Sequence, residues 1–409
     1  MNSKFTFIEN GSVTSPEGFK ASGIVAGLKL SGAPDMAMIY SDVPASFSAA
    51  FTSCVFAAAP VRLGRERMSN GVPLRAIVVN SGNANACTGD KGLRNARVIC
   101  DIAAEKLDIT PEEVICSSTG RIGVQLPMDV ISDGIDKAAK ALDTEGGSLA
   151  AAAIMTTDTV PKSAAVEVEL SSGKVTIGAM TKGAGMIDPE MIVPHATMLC
   201  YITTDACIEP ELLNKMLEDG IGKSFNRITI DGDMSTNDTT VLMANGVSGV
   251  GVKSGSEDAE IFYDALQNLM QKLAMEMVMD GEGATKFVTV YVENAKDEDS
   301  AKKLAESIGN SLLCKTAWFG CDPNWGRLVA ALGYSGIDFD PELVNVYYND
   351  KAVVLKGGDA GTPELELAEI LKSREFSVRV NMNAGKSDYW VWTCDLSYEY
   401  VKINAEYHT

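Results

Sequence analysis

Segments with helical periodicity alternate with segments of strand periodicity along the whole chain. From Ser256 to Met279, apolar residues recur every three or four positions, which predicts an amphipathic helix. In residues 166–177, and again in residues 376–392, apolar and polar residues alternate on both sides of a turn, which predicts two antiparallel strand pairs. This intermixing predicts a mixed α/β (α+β) fold with helices packed on antiparallel or mixed sheets. The length of 409 residues exceeds the usual limit of a single core and favours two lobes.

The charge and the N-terminal sequence exclude several classes of protein. With 55 acidic and 35 basic side chains, the net charge of −20 repels nucleic-acid phosphates and anionic membrane surfaces. No apolar run approaches the roughly 20 residues of a membrane-spanning helix, and the first residues resemble neither a secretory signal nor a transit peptide. Scattered cysteines without a C-x-x-C pair suit reduced thiols. We therefore expect a cytoplasmic protein without nucleic-acid or membrane partners.

Few residues suit a metal or phosphate site. The two histidines, His195 and His408, are too few for a multi-histidine metal site or for most Ser-His-Asp triads. The glycine-rich residues 246–254 nearly match a phosphate-binding loop, but one extra residue separates the second glycine from the lysine. The acidic residues 231–242 depart from a calcium loop at the sixth position, Thr236, and at the twelfth. We interpret both as ordinary loops and expect no metal ion and no resident cofactor.

The most informative segment runs from Lys182 to Asp205. A loop rich in glycine and proline, which begins KGAGM, leads into the apolar stretch TMLCYITT. Taken alone, Thr197 at the head of this stretch is best explained as the first residue of a β-strand, because threonine is common in strands. His195 is best explained as a turn or surface residue. In the same way, the residues SSTG at 117–120 are favoured as a polar turn when they are taken alone.

The segments KGAGM and ATMLCYITTDA together are similar to the self-cleavage segment of the ornithine acetyltransferase family, whose members also act as glutamate N-acetyltransferases. Other family-like segments follow in one order along the chain. They are VVNSGNANACTG at 78–89, SSTG at 117–120, TTDTVPK at 156–162, DGEGATK at 280–286, DPNWGR at 322–327 and NAEYHT at 404–409. Residues 192–195 look like an insertion in the family pattern. The chain thus resembles this family from end to end.

The resemblance implies that the chain cuts itself between Ala196 and Thr197, after which Thr197 is the nucleophile. It implies a layered architecture of the N-terminal-nucleophile type, with residues 1–196 as an α chain and residues 197–409 as a β chain. Two α and two β chains are expected to associate as a heterotetramer. Threonine suits this chemistry, because its hydroxyl can attack the Ala196 carbonyl through a five-membered ring. The freed α-amine, with an ordinary pKa of about 7.7–8.0, can then act as general base.

The resemblance also assigns the other site residues. It implies that the Thr119 hydroxyl and the Gly120 backbone N–H stabilise the oxyanion of the tetrahedral intermediate. The residues implied around the bound amino acid are Thr156, Lys182, Thr197, Glu282, Asn404 and Thr409. Side chains of both charges are expected there, because acetylornithine and glutamate differ in side-chain charge. No segment indicates coenzyme A binding by itself, so the sequence leaves open whether acetyl-CoA is also a donor.

The sequence therefore predicts an acyltransferase of arginine biosynthesis. It would move acetyl from N2-acetyl-L-ornithine to L-glutamate through an acetyl ester on Thr197. An alternative is a self-processing amidohydrolase or aminopeptidase, in which water replaces glutamate as the acceptor. A non-enzymatic alternative is an acidic binding protein for amino acids, which would remain an uncut chain.

Overall fold

A computed structural model describes residues 4–188, 190–192 and 198–406 of the protein. Three of the predicted site residues, Ala196, Thr197 and Thr409, lie outside these ranges, as do both histidines. Within the described ranges, no helix is both long and apolar enough to cross a membrane.

Nineteen strands and eleven α-helices follow one another through the described residues, as the mixed periodicity predicts. The first ten strands are β1 (Phe5–Ile8), β2 (Phe19–Ile24), β3 (Met36–Thr52), β4 (Leu74–Asn83), β5 (Val114–Arg121), β6 (Lys162–Leu170), β7 (Gly173–Lys182), β8 (Met191–Ile192), β9 (Leu199–Thr204) and β10 (Cys207–Ile208). The others are β11 (Ile228–Thr229), β12 (Thr239–Ala244), β13 (Gly251–Val252), β14 (Phe287–Ala295), β15 (Asn345–Tyr348), β16 (Lys351–Leu355), β17 (Gly358–Asp359), β18 (Glu375–Asn381) and β19 (Ser387–Cys394). The helices are α1 (Ala59–Asn70), α2 (Gly89–Leu107), α3 (Met128–Lys140), α4 (Gly147–Ala153), α5 (Pro210–Gly222), α6 (Glu257–Met279), α7 (Glu298–Gly309), α8 (Leu312–Phe319), α9 (Trp325–Gly333), α10 (Glu364–Lys372) and α11 (Tyr398–Glu406).

The described residues form two compact units. The first unit takes the described residues 4–188, 190–192, 198–226 and 234–274, and the second takes residues 227–233 and 275–406. Each unit has a hydrophobic core of its own, which confirms the two predicted lobes. The predicted β chain contributes residues 198–226 and 234–274 to the first unit, so this unit draws on both sides of the predicted cleavage site.

The first unit is built on a mixed sheet with the strand order β1-β6-β7-β9-β12-β3-β4-β5, and β2 and β8 also pair with β3. The neighbours β9 and β12 are parallel, with Leu199 opposite Thr239. On their outer sides, β9 is antiparallel to β7 and β12 is antiparallel to β3. Since β9 and β12 follow residue 197 in the sequence while β7 and β3 precede it, the two parts of the chain are interleaved within one sheet.

Helices cover both faces of the part of this sheet formed by β3, β4 and β5. Ile77 and Val79 of β4 belong to the core on the face that α4 covers. The alternate residues Ala76 and Val78 belong to a second core with α2 and α3. A strand buried on both faces is a continuous apolar run, because successive side chains point to opposite sides. The predicted packing of helices on sheets is confirmed.

Two of the predicted elements occur where the periodicity indicates them. The predicted helix is α6, which begins at Glu257 and ends at Met279. The predicted strand pair in residues 166–177 is formed by β6 and β7, with Val166 opposite Ile177. Both of these side chains are buried, whereas Glu169 is exposed, so the polar side chains of this strand pair face the solvent.

The second unit contains a seven-stranded sheet with the order β11-β19-β14-β18-β15-β16-β17. The second predicted strand pair corresponds to β18 and β19, which run in opposite directions but do not pair with each other. β14 lies between them, parallel to β18 and antiparallel to β19. The prediction of a direct pair was wrong, because β14 carries the fully buried Val288, Val290 and Val292. This interior position pairs the backbone of the buried strand on both edges.

Candidate active site

The predicted oxyanion donors lie at the end of β5. Thr119 and Gly120 belong to this strand, which is parallel to β4 and places Gly120 opposite Gly82. The segment is therefore a strand, and not the polar turn that its residues favour when taken alone. Gly120 has a φ of +123°, and a Cβ atom there would lie 2.5 Å from the carbonyl carbon of Gly82. A side chain at this position would be strained in its backbone and would collide with β4.

Buried polar side chains join the ends of β4 and β5. The Ser118 hydroxyl donates to Oδ1 of Asn80 at 2.6 Å, and Nδ2 of Asn80 donates to the Asn83 carbonyl at 2.8 Å. From the segment before β12, Nδ2 of Asn237 donates to the carbonyl oxygens of Ala84 at 2.5 Å and Ser118 at 2.7 Å. Each of these polar groups is out of water and has a partner, so the network defines one geometry for the strand ends.

The structure brings the predicted residues Thr156 and Lys182 together. Lys182 is the last residue of β7, and its Nζ donates to the Thr156 hydroxyl at 3.3 Å. The Asp158 carboxylate holds both segments, because it accepts from the Thr156 N–H at 3.1 Å and from the Gly183 N–H at 2.7 Å. Asp158 thereby fixes the backbone beside both predicted substrate-binding residues.

Asp158 also forms a fully buried ion pair. Nζ of Lys162 lies 2.8 Å from Oδ1 of Asp158, and the two side chains are 1% and 0% exposed. Burial alone would raise the pKa of the Asp158 carboxyl. The charges of Lys162 and Lys182 and the hydrogen bonds from Lys162 and from the Gly183 N–H outweigh it, so the pKa lies below its ordinary value. Asp158 is therefore ionised at neutral pH.

We expect Asp158→Asn to lower the free energy of unfolding by about 3–5 kcal/mol at pH 7, because it leaves the Lys162 ammonium buried without its counter-charge. Since folding lowers the pKa of Asp158, the carboxylate stabilises the fold fully above the ordinary pKa of about 3.9 and progressively less below it. The difference between wild type and variant should therefore shrink as the pH falls below about 4. Urea unfolding at pH 7 and at several acidic pH values measures both effects.

The matched control is Asp136→Asn, which removes the carboxylate of an exposed ion pair with the same sequence spacing, Asp136 to Lys140. Its stability should stay close to that of the wild type, because solvent screens the pair. Equal effects of the two substitutions would contradict a structural role for the buried pair.

The charge of Lys182 acts on two more ionisable residues, Lys29 and Asp238. Nζ of Lys29 donates to the carbonyl oxygen of Met155 at 2.7 Å, and burial lowers the pKa of this lysine against the opposing charges of Asp35 and Asp158. Burial also raises the pKa of the Asp238 carboxyl well above its ordinary value, although the charge of Lys182 opposes the shift. The environment thus drives the pKa values of Asp158 and Asp238 in opposite directions. Carboxyl groups with shifted pKa values are common at functional sites.

In the second unit, the structure brings Glu282 and Asn404 together. Nδ2 of Asn404, on α11, donates to Oε2 of Glu282 at 2.6 Å and to the Tyr400 carbonyl at 3.0 Å. The turn that contains Glu282 is held against the start of α11, because the Ser397 hydroxyl donates to the Gly283 carbonyl at 2.7 Å. Gly283 has a φ of +67°, and a Cβ there would lie 2.6 Å from the Tyr400 nitrogen. The close approach of turn and helix thus requires a glycine.

The described site residues therefore fall into two groups. Thr119, Gly120, Thr156 and Lys182 belong to the first unit, and Glu282 and Asn404 belong to the second. In the first group, a lysine beside a hydroxyl suits a carboxylate, and the glycine N–H beside a threonine hydroxyl suits an oxyanion. In the second group, a carboxylate held by an amide suits an ammonium group.

Several residues near these groups carry no signal of their own in the sequence. Asp158 and Asn80 lie inside the family-like segments 156–162 and 78–89, so the resemblance marked their neighbourhoods but not their contacts. Asn237 and Asp238 lie in the acidic segment that the sequence indicates as an ordinary loop. Their contacts join residues more than 100 positions apart, which a local pattern cannot reveal.

The sequence is similar to known proteins over almost its whole length. The ArgJ family matches residues 20–409. The arginine biosynthesis bifunctional protein ArgJ of Symbiobacterium thermophilum is 46% identical over 98% of this chain and 99% of its own length. The glutamate N-acetyltransferase of Methanocaldococcus jannaschii is 47% identical over the same shares of the two chains. Among solved structures, ornithine acetyltransferase from Mycobacterium tuberculosis in complex with ornithine is 37% identical, with a TM-score of 0.43, over 46% of this chain and 100% of that chain.

Proposed function

The chain belongs to the ArgJ family, and we propose from this membership which reaction it catalyses. It is an acyltransferase that moves acetyl from N2-acetyl-L-ornithine to L-glutamate, giving L-ornithine and N-acetyl-L-glutamate. The observation that carries this conclusion is the identity of 46–47% with an arginine biosynthesis bifunctional protein and a glutamate N-acetyltransferase, each over 98% of the chain.

The nucleophile is produced by autoproteolysis in this proposal. The Thr197 hydroxyl attacks the Ala196 carbonyl, the peptide C–N bond breaks, and the hydroxyl proton passes to the new α-amine. Water then opens the resulting ester, which leaves Ala196 as a carboxylate and Thr197 as a free N-terminus. The small side chain of Ala196 leaves its carbonyl accessible to both attacks.

Acetyl transfer then takes place in two steps at Thr197. The hydroxyl attacks the acetyl carbon of acetylornithine while the neighbouring α-amine accepts its proton. The C–N bond breaks, and the same proton passes to the departing ornithine nitrogen. The neutral amine of glutamate next attacks the acetyl ester, the ester C–O bond breaks, and the proton that the glutamate nitrogen loses passes through the α-amine to the departing Thr197 oxygen. The Thr119 hydroxyl and the Gly120 N–H donate to the oxyanion in both steps.

Further parts of the proposal concern ligands and assembly. The proposed substrate-binding residues are Thr156, Lys182, Thr197, Glu282, Asn404 and Thr409. The contacts of Lys182 with Thr156 and of Asn404 with Glu282 support this set. The proposal leaves open whether acetyl-CoA is a second donor, and it includes a heterotetramer of two α and two β chains, a cytoplasmic location, and neither a metal ion nor a resident cofactor.

We expect the transfer to follow ping-pong kinetics, because Thr197 carries its own amine base and the two amino-acid substrates share the same α-carbon groups. Acetylornithine labelled in the acetyl group, supplied alone, should leave the label on the fragment that begins at Thr197. Added glutamate should remove the label as N-acetylglutamate, and double-reciprocal plots at several glutamate concentrations should be parallel.

The alternatives give different results in the same assay. A hydrolase would lose the label to water at a rate that does not depend on glutamate. A binding protein would acquire no covalent label. Intersecting plots together with an unlabelled fragment after a rapid quench would mean direct transfer in a ternary complex, and Thr197 would have no covalent role.

A further inference from the structure

We propose that Asn237 is a positioning residue that holds the Thr119 and Gly120 donors in place. The inference rests on the proposed acyl transfer, since it concerns the donors for that reaction. Both Nδ2 hydrogens of Asn237 are used, one on the Ala84 carbonyl at 2.5 Å and one on the Ser118 carbonyl at 2.7 Å. The Ser118 carbonyl and the Thr119 N–H belong to one rigid peptide group. The hydrogen bond from Asn237 to the Ser118 carbonyl therefore fixes the orientation of the peptide group that directly precedes Thr119.

The donors are held on both sides. On the N-terminal side of the donors, the Ser118 carbonyl accepts a hydrogen bond from Asn237, and the Ser118 hydroxyl donates one to Asn80. On the C-terminal side of the donors, the Arg121 carbonyl accepts a hydrogen bond from the Ala84 N–H at 2.9 Å, and the Ala84 carbonyl accepts one from Asn237. One side-chain amide therefore connects both ends of the short segment that carries the donors.

The Asn237 side chain is itself fixed. It is 6% exposed, and its Oδ1 accepts from the Thr236 hydroxyl at 2.6 Å. The backbone around it is bonded to neighbouring strands, because the Thr52 N–H donates to the Asp238 carbonyl and the Thr239 N–H donates to the Met198 carbonyl. Oxyanion donors are effective when the groups that support them are held rigidly, and the Asn237 side chain is held in this way.

The contact also links the donors to the part of the chain that follows the proposed cleavage site. Asn237 stands two residues before Thr239, which is opposite Leu199 in the parallel pair of β9 and β12, and Leu199 stands two residues after Thr197. Asn237 therefore lies just before β12, which pairs with β9, a strand that also follows the proposed cleavage site. In the cleaved protein, the chain that supplies the nucleophile would also position the donors of the other chain.

The test is Asn237→Ala in fully cleaved protein, with cleavage checked by mass. A displacement of the donors by about 1 Å should lower kcat by about 10²-fold, while KM stays close to that of the wild type, because the donors act on charge that develops in the transition state. The matched control is Asn245→Ala. Asn245 is 9% exposed, donates from Nδ2 to the Glu17 carbonyl at 2.9 Å and accepts at Oδ1 from the Val247 N–H, so these side-chain hydrogen bonds do not reach β5 and their loss should leave kcat unchanged.

A double-mutant cycle with Thr119→Ala decides whether Asn237 acts through the donors. The losses in kcat should fall well short of multiplying, because Asn237 cannot position a hydroxyl that is absent. If Asn237→Ala fails to fold or to cleave, Asn237→Asp keeps the shape but directs an acceptor at two carbonyls. Its kcat, expressed as a fraction of the wild-type kcat at the same pH, should be low at neutral pH and should rise at acidic pH, where protonation restores one donor.

Three results would overturn the inference: an Asn237→Ala kcat within about threefold of the wild type, losses that multiply in the double mutant, or an equal loss in Asn245→Ala. A wild type that does not transfer acetyl to glutamate would instead contradict the proposed function. The two failures are therefore distinguishable in one set of assays.

Discussion

Thr197→Ala should remain a single chain of 409 residues and should lose acetyl transfer by a factor of about 10⁴ or more. Without the hydroxyl, nothing attacks the Ala196 carbonyl, so the free α-amine that would act as general base is never produced. The substitution therefore removes the nucleophile and the base together. Intact mass under denaturing conditions measures the cleavage, and formation of N-acetylglutamate measures the transfer.

The matched control is Thr197→Ser, which keeps the hydroxyl and loses only a methyl group. It should still cleave between residues 196 and 197 and retain part of the activity. A fully active wild type that runs as one intact chain, with no new N-terminus at Thr197, would contradict both autoproteolysis and the role of this residue.

Thr119→Ala should lower kcat by a factor of about 10²–10³ and change KM much less, because the hydroxyl donates chiefly to charge that develops in the transition state. Thr119 is 7% exposed, at the end of a strand fixed by buried hydrogen bonds, so its removal should not change the fold. Initial rates with acetylornithine and glutamate, each varied, separate the effects on kcat and KM.

Ser117→Ala provides the comparison for this variant. Ser117 lies two residues earlier on β5, and its buried hydroxyl is of the same chemical type. Its loss should leave kcat close to the wild-type value. Near-normal turnover in Thr119→Ala, or an equal loss in Ser117→Ala, would exclude Thr119 as an oxyanion donor.

Local periodicity was sufficient to predict the helices and strand pairs that are formed by residues close together in the sequence. The helix α6 and the pair of β6 and β7 follow directly from the spacing of their apolar side chains. The neighbours of β18 and β19 could not be predicted in this way, because β14, which lies between them, comes more than 80 residues earlier in the sequence. Strand order in a sheet depends on such distant contacts.

The candidate site was predicted by resemblance rather than by physical pattern. Thr119, Thr156 and Lys182 are ordinary polar residues in isolation, and only the family-like segments around them indicate a function. The residues that support them were not predictable, because their roles arise from folding. Asp158 supports two segments through backbone N–H groups, and the φ of +123° at Gly120 has no signature in the sequence.

If the chain cleaves itself as proposed, the interleaved sheet makes the uncut chain, rather than either fragment, the unit that folds. With β9 and β12 removed, β7 and β3 would be separated by roughly 14 Å, three strand spacings, and the facing edges of both would be left without partners. Before cleavage, closing this sheet is a first-order event within one molecule. After cleavage, a denatured enzyme would have to reunite two molecules, so its recovery would depend on concentration and compete with aggregation. Self-cleavage would thus convert a protein that can refold alone into one whose lifetime is set by how slowly it unfolds.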